Sequence, residues 1–230
     1  MNVAIIAAAG QGTRIGGNRA KQFLELAGTP IIIHTLRSFE LCEAIQEIIL
    51  VLPAQDTADF LAIGKKHRLR KLSKIVSGGT TRAESVLNGL LAVRSATAQI
   101  IAVHDGVRPF VTSDEITKTV KAAEVNEAAI LAAGVTDTIK EVSNGMVART
   151  LPRSALRRAL TPQCFRFELL RRAYEQVDVL DPELTDESSL VERLGVKVTI
   201  VEGSSRNIKI TEPEDLVLGE ALLKEMNFEI

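Results

Sequence analysis

The sequence predicts an α/β fold: a doubly wound, mostly parallel sheet with helices on both faces and one inserted β-hairpin arm. Three observations predict it. Short, continuously apolar runs recur along the 230 residues, as parallel strands covered on both faces require. Amphipathic stretches with helix start signals separate them, which is the rhythm of βαβ units. Beyond residue 135 that rhythm gives way to two alternating runs around an Asn-Gly pair, a strong hairpin signal.

In chain order, strands are read at "NVAIIAA" (2–8), "EIILVLP" (47–53), "KIVSGG" (74–79), "QIIAVHD" (99–105) and "AAILAAGV" (128–135). Thr29-Pro30 opens a helix, with proline at its first position. "TTRAESVLNGLLAVRS" (80–95) follows a Gly-Gly turn, and "SDEITKTVKAAE" (113–124) carries a capping serine and early acids. The hairpin is "DTIKEVSNGMVARTL" (137–151), turning at Ser143-Asn144-Gly145, and forms an arm over about 136–152. Helices near 167–178 and 187–195, a strand "KVTIVEG" (197–203) and a helix starting near "EPEDL" (212–216) complete the chain. No repeat, low-complexity segment or linker divides it, so 1–230 reads as one Rossmann-like domain carrying an arm.

Composition limits the function. Hydrophobic residues make up 46% and charged residues 25%, ordinary for a globular protein. The net charge of -1 offers no overall field for nucleic acid or membrane, so anion binding must be local. The basic run "KKHRLRKLSK" (65–74) lacks interleaved aromatics and reads as a solvated helix end and loop. With Trp absent and Tyr occurring once, stacking platforms for single-stranded nucleic acid are missing. "MNVAIIAAAG" lacks the basic region of a signal peptide, and no stretch approaches the ~18 apolar residues of a membrane span. Cys42 and Cys164, without metal-ligand spacing, fit reduced thiols in a cytoplasmic protein.

The chemistry concentrates in "AAAGQGTRIGGNRAKQF" (7–23), where Gly10, Gly12, Gly16 and Gly17 are interleaved with Arg14, Arg19 and Lys21. Such a turn after the first strand lies at the carboxyl edge of the sheet, where backbone N–H groups can cradle phosphate. It is not a Walker loop, and it approximates the dinucleotide fingerprint with its third glycine one residue late. The acid that would hold a ribose is also missing, since the second strand ends in Leu52-Pro53-Ala54. That disfavours an NAD-dependent oxidoreductase. A long loop bearing Arg14 and Lys21 suits a triphosphate.

Two more loops share this edge. "SGGTTRAES" (77–85) brings Gly79 for close approach, with Ser85 facing back from the helix. "HDGVRPF" (104–110) puts Asp105 at a strand's carboxyl end, able to hold the Mg²⁺, or another divalent cation, that accompanies triphosphates. Asp105 and Arg108 equally form a structural ion pair, and His104 reads as a packed strand residue.

These segments, with "ALTPQCF", "TDESSLVE" and "EGSSRNIKITEPEDL", occur in order from residue 3 to about 220. Together they resemble the 2-C-methyl-D-erythritol 4-phosphate cytidylyltransferase family. The resemblance implies transfer of CMP from CTP to methylerythritol phosphate, with pyrophosphate released, in non-mevalonate isoprenoid biosynthesis. It implies that Arg14 and Lys21 stabilise the α-phosphate and the departing pyrophosphate. Ala8, Ala9, Gly10, Gly12, Gly79, Thr80 and Ser85 form the nucleotide site, with Arg82 supporting its loop. Asp105 serves the metal and substrate hydroxyls beside Arg108. Arg153 and Lys209 hold methylerythritol phosphate, with Thr161 and Thr185 as hydroxyl partners. The arm makes a homodimer in which Arg153 completes the partner's site. Thr161, before Pro162, also fits a turn, and Thr185 fits an N-cap for "DESSL". Gly106-Val107 replace two alanines frequent in the family, a small-residue swap expected to change little. A ribitol 5-phosphate cytidylyltransferase shares most of these motifs and is the nearest rival.

Overall fold

A computed structural model describes residues 1–10, 20–181 and 184–228. In chain order, β1 (Val3–Ala7) is followed by a short antiparallel pair, β2 (Glu25–Leu26) and β3 (Thr29–Pro30). Then come α1 (Ile31–Leu41), β4 (Glu47–Leu52), α2 (Thr57–Gly64), β5 (Leu72–Ser77), α3 (Arg82–Leu91) and β6 (Ile100–Asp105). After α4 (Ser113–Asn126) and β7 (Ala128–Gly134), the hairpin strands β8 (Lys140–Ser143) and β9 (Met146–Thr150) interrupt the alternation. The chain closes with β10 (Arg157–Arg166), α5 (Phe167–Glu175), α6 (Glu187–Arg193), β11 (Thr199–Glu202) and α7 (Pro213–Phe228).

Seven strands form one sheet in the order β11-β7-β10-β6-β1-β4-β5. All neighbours are parallel except β10, which runs antiparallel between β6 and β7. The α/β, mostly parallel sheet is therefore present, but β10 is absent from the sequence reading. Its proline at position 162 argues against a central strand, because Pro cannot donate to the ladder. The structure accommodates it in a register shift against β7 between Ala159 and Gln163.

Both faces of the sheet are covered, which is why the strand runs are apolar without alternation. Ala4 and Ile6 of β1 join Ile48 and Leu50 of β4 in a core with Phe39 of α1 and Ile116 of α4. Val3 and Ile5 point the other way, into a second core with Val86 of α3, Leu170 of α5 and Leu190 of α6. Fully burying one such side chain is worth about 1.5–3 kcal/mol. A third cluster seats α7 through Leu216 and Leu222 against Leu26 of β2, Ile31 and Phe110.

Two helix starts differ by one position from the sequence reading. Thr112, not Ser113, caps α4, exchanging bonds with Glu115 in a capping box. Pro30 occupies the N-cap of α1 rather than its first turn. The basic run forms a short 3₁₀ turn at Lys65–His67 and then enters β5 at Leu72, two residues before the expected strand start. Among the described residues, no helix is long and apolar enough to cross a membrane.

The arm turns where expected, with Asn144 at φ 49° and Gly145 at φ 76°, the left-handed pair that a two-residue hairpin needs. Ser143 pairs with Met146 across it. Every residue of β8 and β9 is exposed, Val142, Met146 and Val147 included.

From β1 the chain builds β4 and β5 on one side, then returns to place β6 on the other. The carboxyl ends of β1 and β6 thus lie side by side, with Ala7 paired to Asp105 and the Gly106 N–H donating to the Ala7 carbonyl at 2.8 Å. A crevice opens where the strand order reverses, as in other open α/β sheets.

Candidate active site at the strand-order reversal

A cavity of about 560 Å³ occupies this crevice. The end of β1 supplies Ala8, Ala9 and Gly10, and the loop before α3 supplies Gly79, Thr80 and Ser85. Lys21 and Lys209 come from opposite ends of the chain, and Asp105 and Arg82 close the floor. A smaller cavity, about 240 Å³, is lined by Arg108, Thr161, Thr185 and Asp186, and shares Arg82, Asp105 and Lys209 with the first. Gly12 and Arg14 lie outside the described residues. Arg153 lines neither cavity; it is exposed at the root of the arm, where its Nη1 donates to the Thr136 carbonyl at 3.1 Å.

The loop after β5 is built by hydrogen bonds. Ser85 Oγ accepts from the Gly79 N–H at 3.1 Å and donates to the Thr81 carbonyl at 2.8 Å. Glu84 Oε2 accepts from the Thr80 N–H at 2.6 Å and from its hydroxyl at 2.8 Å. Thr81 caps α3 by accepting from the Glu84 N–H. This side of the larger cavity is therefore held in shape before any ligand arrives.

Arg82 does not support that loop as expected. Its side chain turns inward, with Nε on Asp105 Oδ1 at 3.2 Å and Nη1 on Glu187 Oε1 at 2.7 Å. Asp105 Oδ2 takes Lys209 Nζ at 2.9 Å and Arg108 Nε at 3.3 Å. Burial alone would raise the Asp105 carboxyl, but Arg82, Lys209 and Arg108 together hold it well below the usual carboxylate range. It is a carboxylate shared by three cations.

That arrangement does not fit the expected metal role of Asp105. Both oxygens are already spent on positive partners, and a divalent ion there would meet three cations at contact distance. Among the described residues, no group of three His, Cys, Asp or Glu could hold a metal ion.

His104 is a packed strand residue, fully buried and tilted against Phe39 at 4.9 Å. Its hydrogen bonds fix its state. The Arg108 carbonyl, at 3.1 Å, can only accept, so His104 Nε2 carries the hydrogen of the neutral ring. Nδ1 then accepts from the Thr161 hydroxyl at 3.0 Å, and the Thr161 oxygen accepts the Asp105 N–H at 3.2 Å. Burial favours this neutral ring and pulls its pKa down to about 4. Thr161 sits in β10 rather than in a turn, with its hydrogen committed to His104. Asn207 joins from the far side, its side-chain amide donating to the Thr161 carbonyl and its own carbonyl accepting from Arg108 Nη1.

Thr185 is exposed at the mouth of the smaller cavity, and Asp186, not Thr185, caps α6. Sequence reasoning missed Glu187, Gln163 and Asn207. Nothing local signals them: the contact of Glu187 with Arg82 spans 105 positions.

An open α/β sheet with a glycine-bearing edge, two joined cavities and a cluster of cations at a strand-order reversal defines a nucleotide-binding enzyme of the phosphate-handling kind. The comparisons with known proteins narrow this. A sequence model of the 2-C-methyl-D-erythritol 4-phosphate cytidylyltransferase family matches residues 2–225, and the chain belongs to that family. The enzyme of that name from Geobacter metallireducens is 43% identical over 226 residues, covering 96% of this chain and 97% of its own. The one from Bacillus cytotoxicus is 44% identical over 223 residues, covering 97% and 98%. In three dimensions, the 4-diphosphocytidyl-2C-methyl-D-erythritol synthase of Anaerococcus prevotii superposes with a TM-score of 0.86 at 34% identity, covering 97% of this chain and 96% of that one.

Proposed function

We infer that this chain transfers CMP from CTP to 2-C-methyl-D-erythritol 4-phosphate and releases pyrophosphate, a step of non-mevalonate isoprenoid biosynthesis. The observation that carries the reading, beside family membership, is the pair of cavities meeting at Arg82, Asp105 and Lys209. The larger takes the nucleotide, between the small residues Ala8, Ala9, Gly10 and Gly79 and the loop of Thr80 and Ser85. The smaller takes the polyol phosphate, beside Arg108, Thr161 and Thr185.

A phosphate oxygen of the acceptor attacks the α-phosphorus of CTP; one P–O bond forms and the bond to pyrophosphate breaks. The nucleophile is already an anion, so no covalent enzyme intermediate is needed, and positioning with charge stabilisation supplies the rate. Arg14 and Lys21 serve the α-phosphate and leaving group, with Gly12 in the same stretch of sequence. Lys209 holds the acceptor phosphate, and Asp105 keeps Lys209 and Arg108 in place. Asp105, shared by three cations, would not hold a divalent cation; Mg²⁺ or another divalent ion, if used, would come bound to the triphosphate. The homodimer joined through the arm, with Arg153 completing the partner's site, is supported by the exposed apolar residues of β8 and β9. A cytoplasmic location fits the unpaired thiols of Cys42 and Cys164.

The test is pyrophosphate release over a grid of four nucleoside triphosphates and several polyol phosphates. CTP with methylerythritol phosphate should dominate. Preference for ribitol 5-phosphate would reassign the acceptor, and equal turnover with ATP would sink the pocket assignment.

A further inference from the structure

We propose that Glu187 is a positioning residue for the reaction, holding the Arg82 guanidinium on Asp105 from the side away from the substrates. The inference rests on the cytidylyl-transfer reading above. Glu187 is 1% exposed at the start of α6. Its Oε1 accepts from Arg82 Nη1 at 2.7 Å and from the Tyr174 hydroxyl at 3.1 Å. Among the described residues its Oε2 is buried without a partner.

A merely structural carboxylate is a poor explanation. A buried charge with one unpartnered oxygen is costly, and α6 is fixed by other means. Asp186 caps it, Gln163 binds both Asp186 and the Ser188 N–H, and Leu190 and Val191 sit in the core. What only Glu187 supplies is negative charge behind Arg82. Its bond to Arg82 is the shorter of the two that the guanidinium makes to carboxylates, in the range of charge-assisted pairs.

The consequence reaches the cavities through Asp105. Arg82 lines both of them and is 27% exposed along its side chain, so it has space to move into. Held by Glu187, it presents Nε to one oxygen of Asp105 and leaves the other to Lys209 and Arg108. Released, it competes for the whole carboxylate or turns into the cavities toward phosphate, and either movement displaces Lys209. Tyr174 adds a neutral donor to the same oxygen and keeps the carboxylate aimed.

Glu187→Gln is the informative variant. The amide oxygen can keep both hydrogen bonds, and its NH₂ falls where no donor stands, so charge is the main thing lost. On the triphosphate and acceptor that the unaltered enzyme turns over best, we expect kcat to fall on the order of 100-fold, as for a small misplacement of reacting groups, with KM for CTP within twofold. In an Arg82→Gln background, the same change should have no further effect on kcat, because Glu187 acts through Arg82. A crystal structure of Glu187→Gln should show the guanidinium displaced from Asp105, a readout independent of any activity. Tyr174→Phe, which removes only the hydroxyl, should lower kcat less and show the same dependence on Arg82; it keeps the test open if Glu187→Gln does not fold. Additive losses, an unchanged kcat, or Arg82 unmoved in the variant would overturn the proposal. Inactivity of the unaltered enzyme toward every pair would instead refute the functional reading, leaving the displacement of Arg82 to decide this one.

Discussion

At Gly106 a single missing methyl group decides how closely β1 and β6 meet beside the cavity. A Cβ there would lie 2.7 Å from Ala8 Cβ and 2.9 Å from Ile32 Cδ1, with the Ala7 carbonyl at 3.3 Å. Alanine here, as is frequent in the family, would therefore require Ala8 or Ile32 to give way. Ile32 is fully buried and meets the added carbon only at its terminal methyl, whereas Ala8, met at its Cβ, is a wall of the larger cavity. Gly106→Ala should cost about 1–3 kcal/mol of stability, as overpacking does, and raise KM for CTP. Denaturant midpoints and initial rates check both; if neither changes, the close approach carries no functional weight. At this scale the sequence is half legible. Asp105 stands out because it ends an apolar strand. Its ion pair with Arg108, three positions on, was legible beside the metal reading, but the convergence of Arg82 and Lys209 from 23 and 104 positions away was not. No local pattern encodes a meeting of that kind.

At the scale of elements, legibility follows from how locally each signal is written. The parallel strands were readable because burial on both faces demands uninterrupted apolar runs, and β4 shows it with six buried residues. The hairpin turn was readable because Asn144 and Gly145 meet a backbone requirement. β10 was not, because Arg157, Arg158, Pro162 and Gln163 break its apolar run and the partners that justify it, β6 and β7, are long-range. The α4 start was readable to one residue. There Thr112 accepts from the Glu115 N–H, while Glu115 Oε2 accepts from the Thr112 N–H at 2.9 Å. Glu115 Oε1 also accepts from the Ser204 N–H at 2.7 Å, tying the cap to the segment after β11. Thr112→Ala should lower unfolding free energy by about 0.5–2 kcal/mol, with little change in kcat because the cap lies outside both cavities. Paired thermal melts and assays would show it, and an equal loss in both would link the cap to the site.

On the scale of the whole molecule, the arm is the feature that one subunit leaves unexplained. Among the described residues its strands pair only with each other, and Val142, Met146 and Val147 stand exposed. A two-fold partner would cover them, because an isologous contact buries the same patch twice. Arg153 is exposed just beyond β9, and its planar fork suits a phosphate better than a lysine would. If it serves the neighbouring site, Lys21 and Arg153 of each site come from different chains. Lys21→Ala alone should depress kcat by about 10²–10³, the usual cost of one transition-state donor. Arg153→Ala alone should lose activity chiefly through methylerythritol phosphate, leaving CTP binding nearly intact. Mixed in equal amounts and allowed to exchange subunits, the two variants should recover activity. Half of the dimers would then be mixed, and one site in each mixed dimer has both its own Lys21 and its partner's Arg153. Recovery should therefore approach about a quarter of the unaltered rate if pairing is random and each site works independently. Pyrophosphate release before and after exchange measures it directly. No recovery, with exchange demonstrated by mass-tagged subunits, would return Arg153 to its own chain's site, and a monomer in solution would leave the arm without its role.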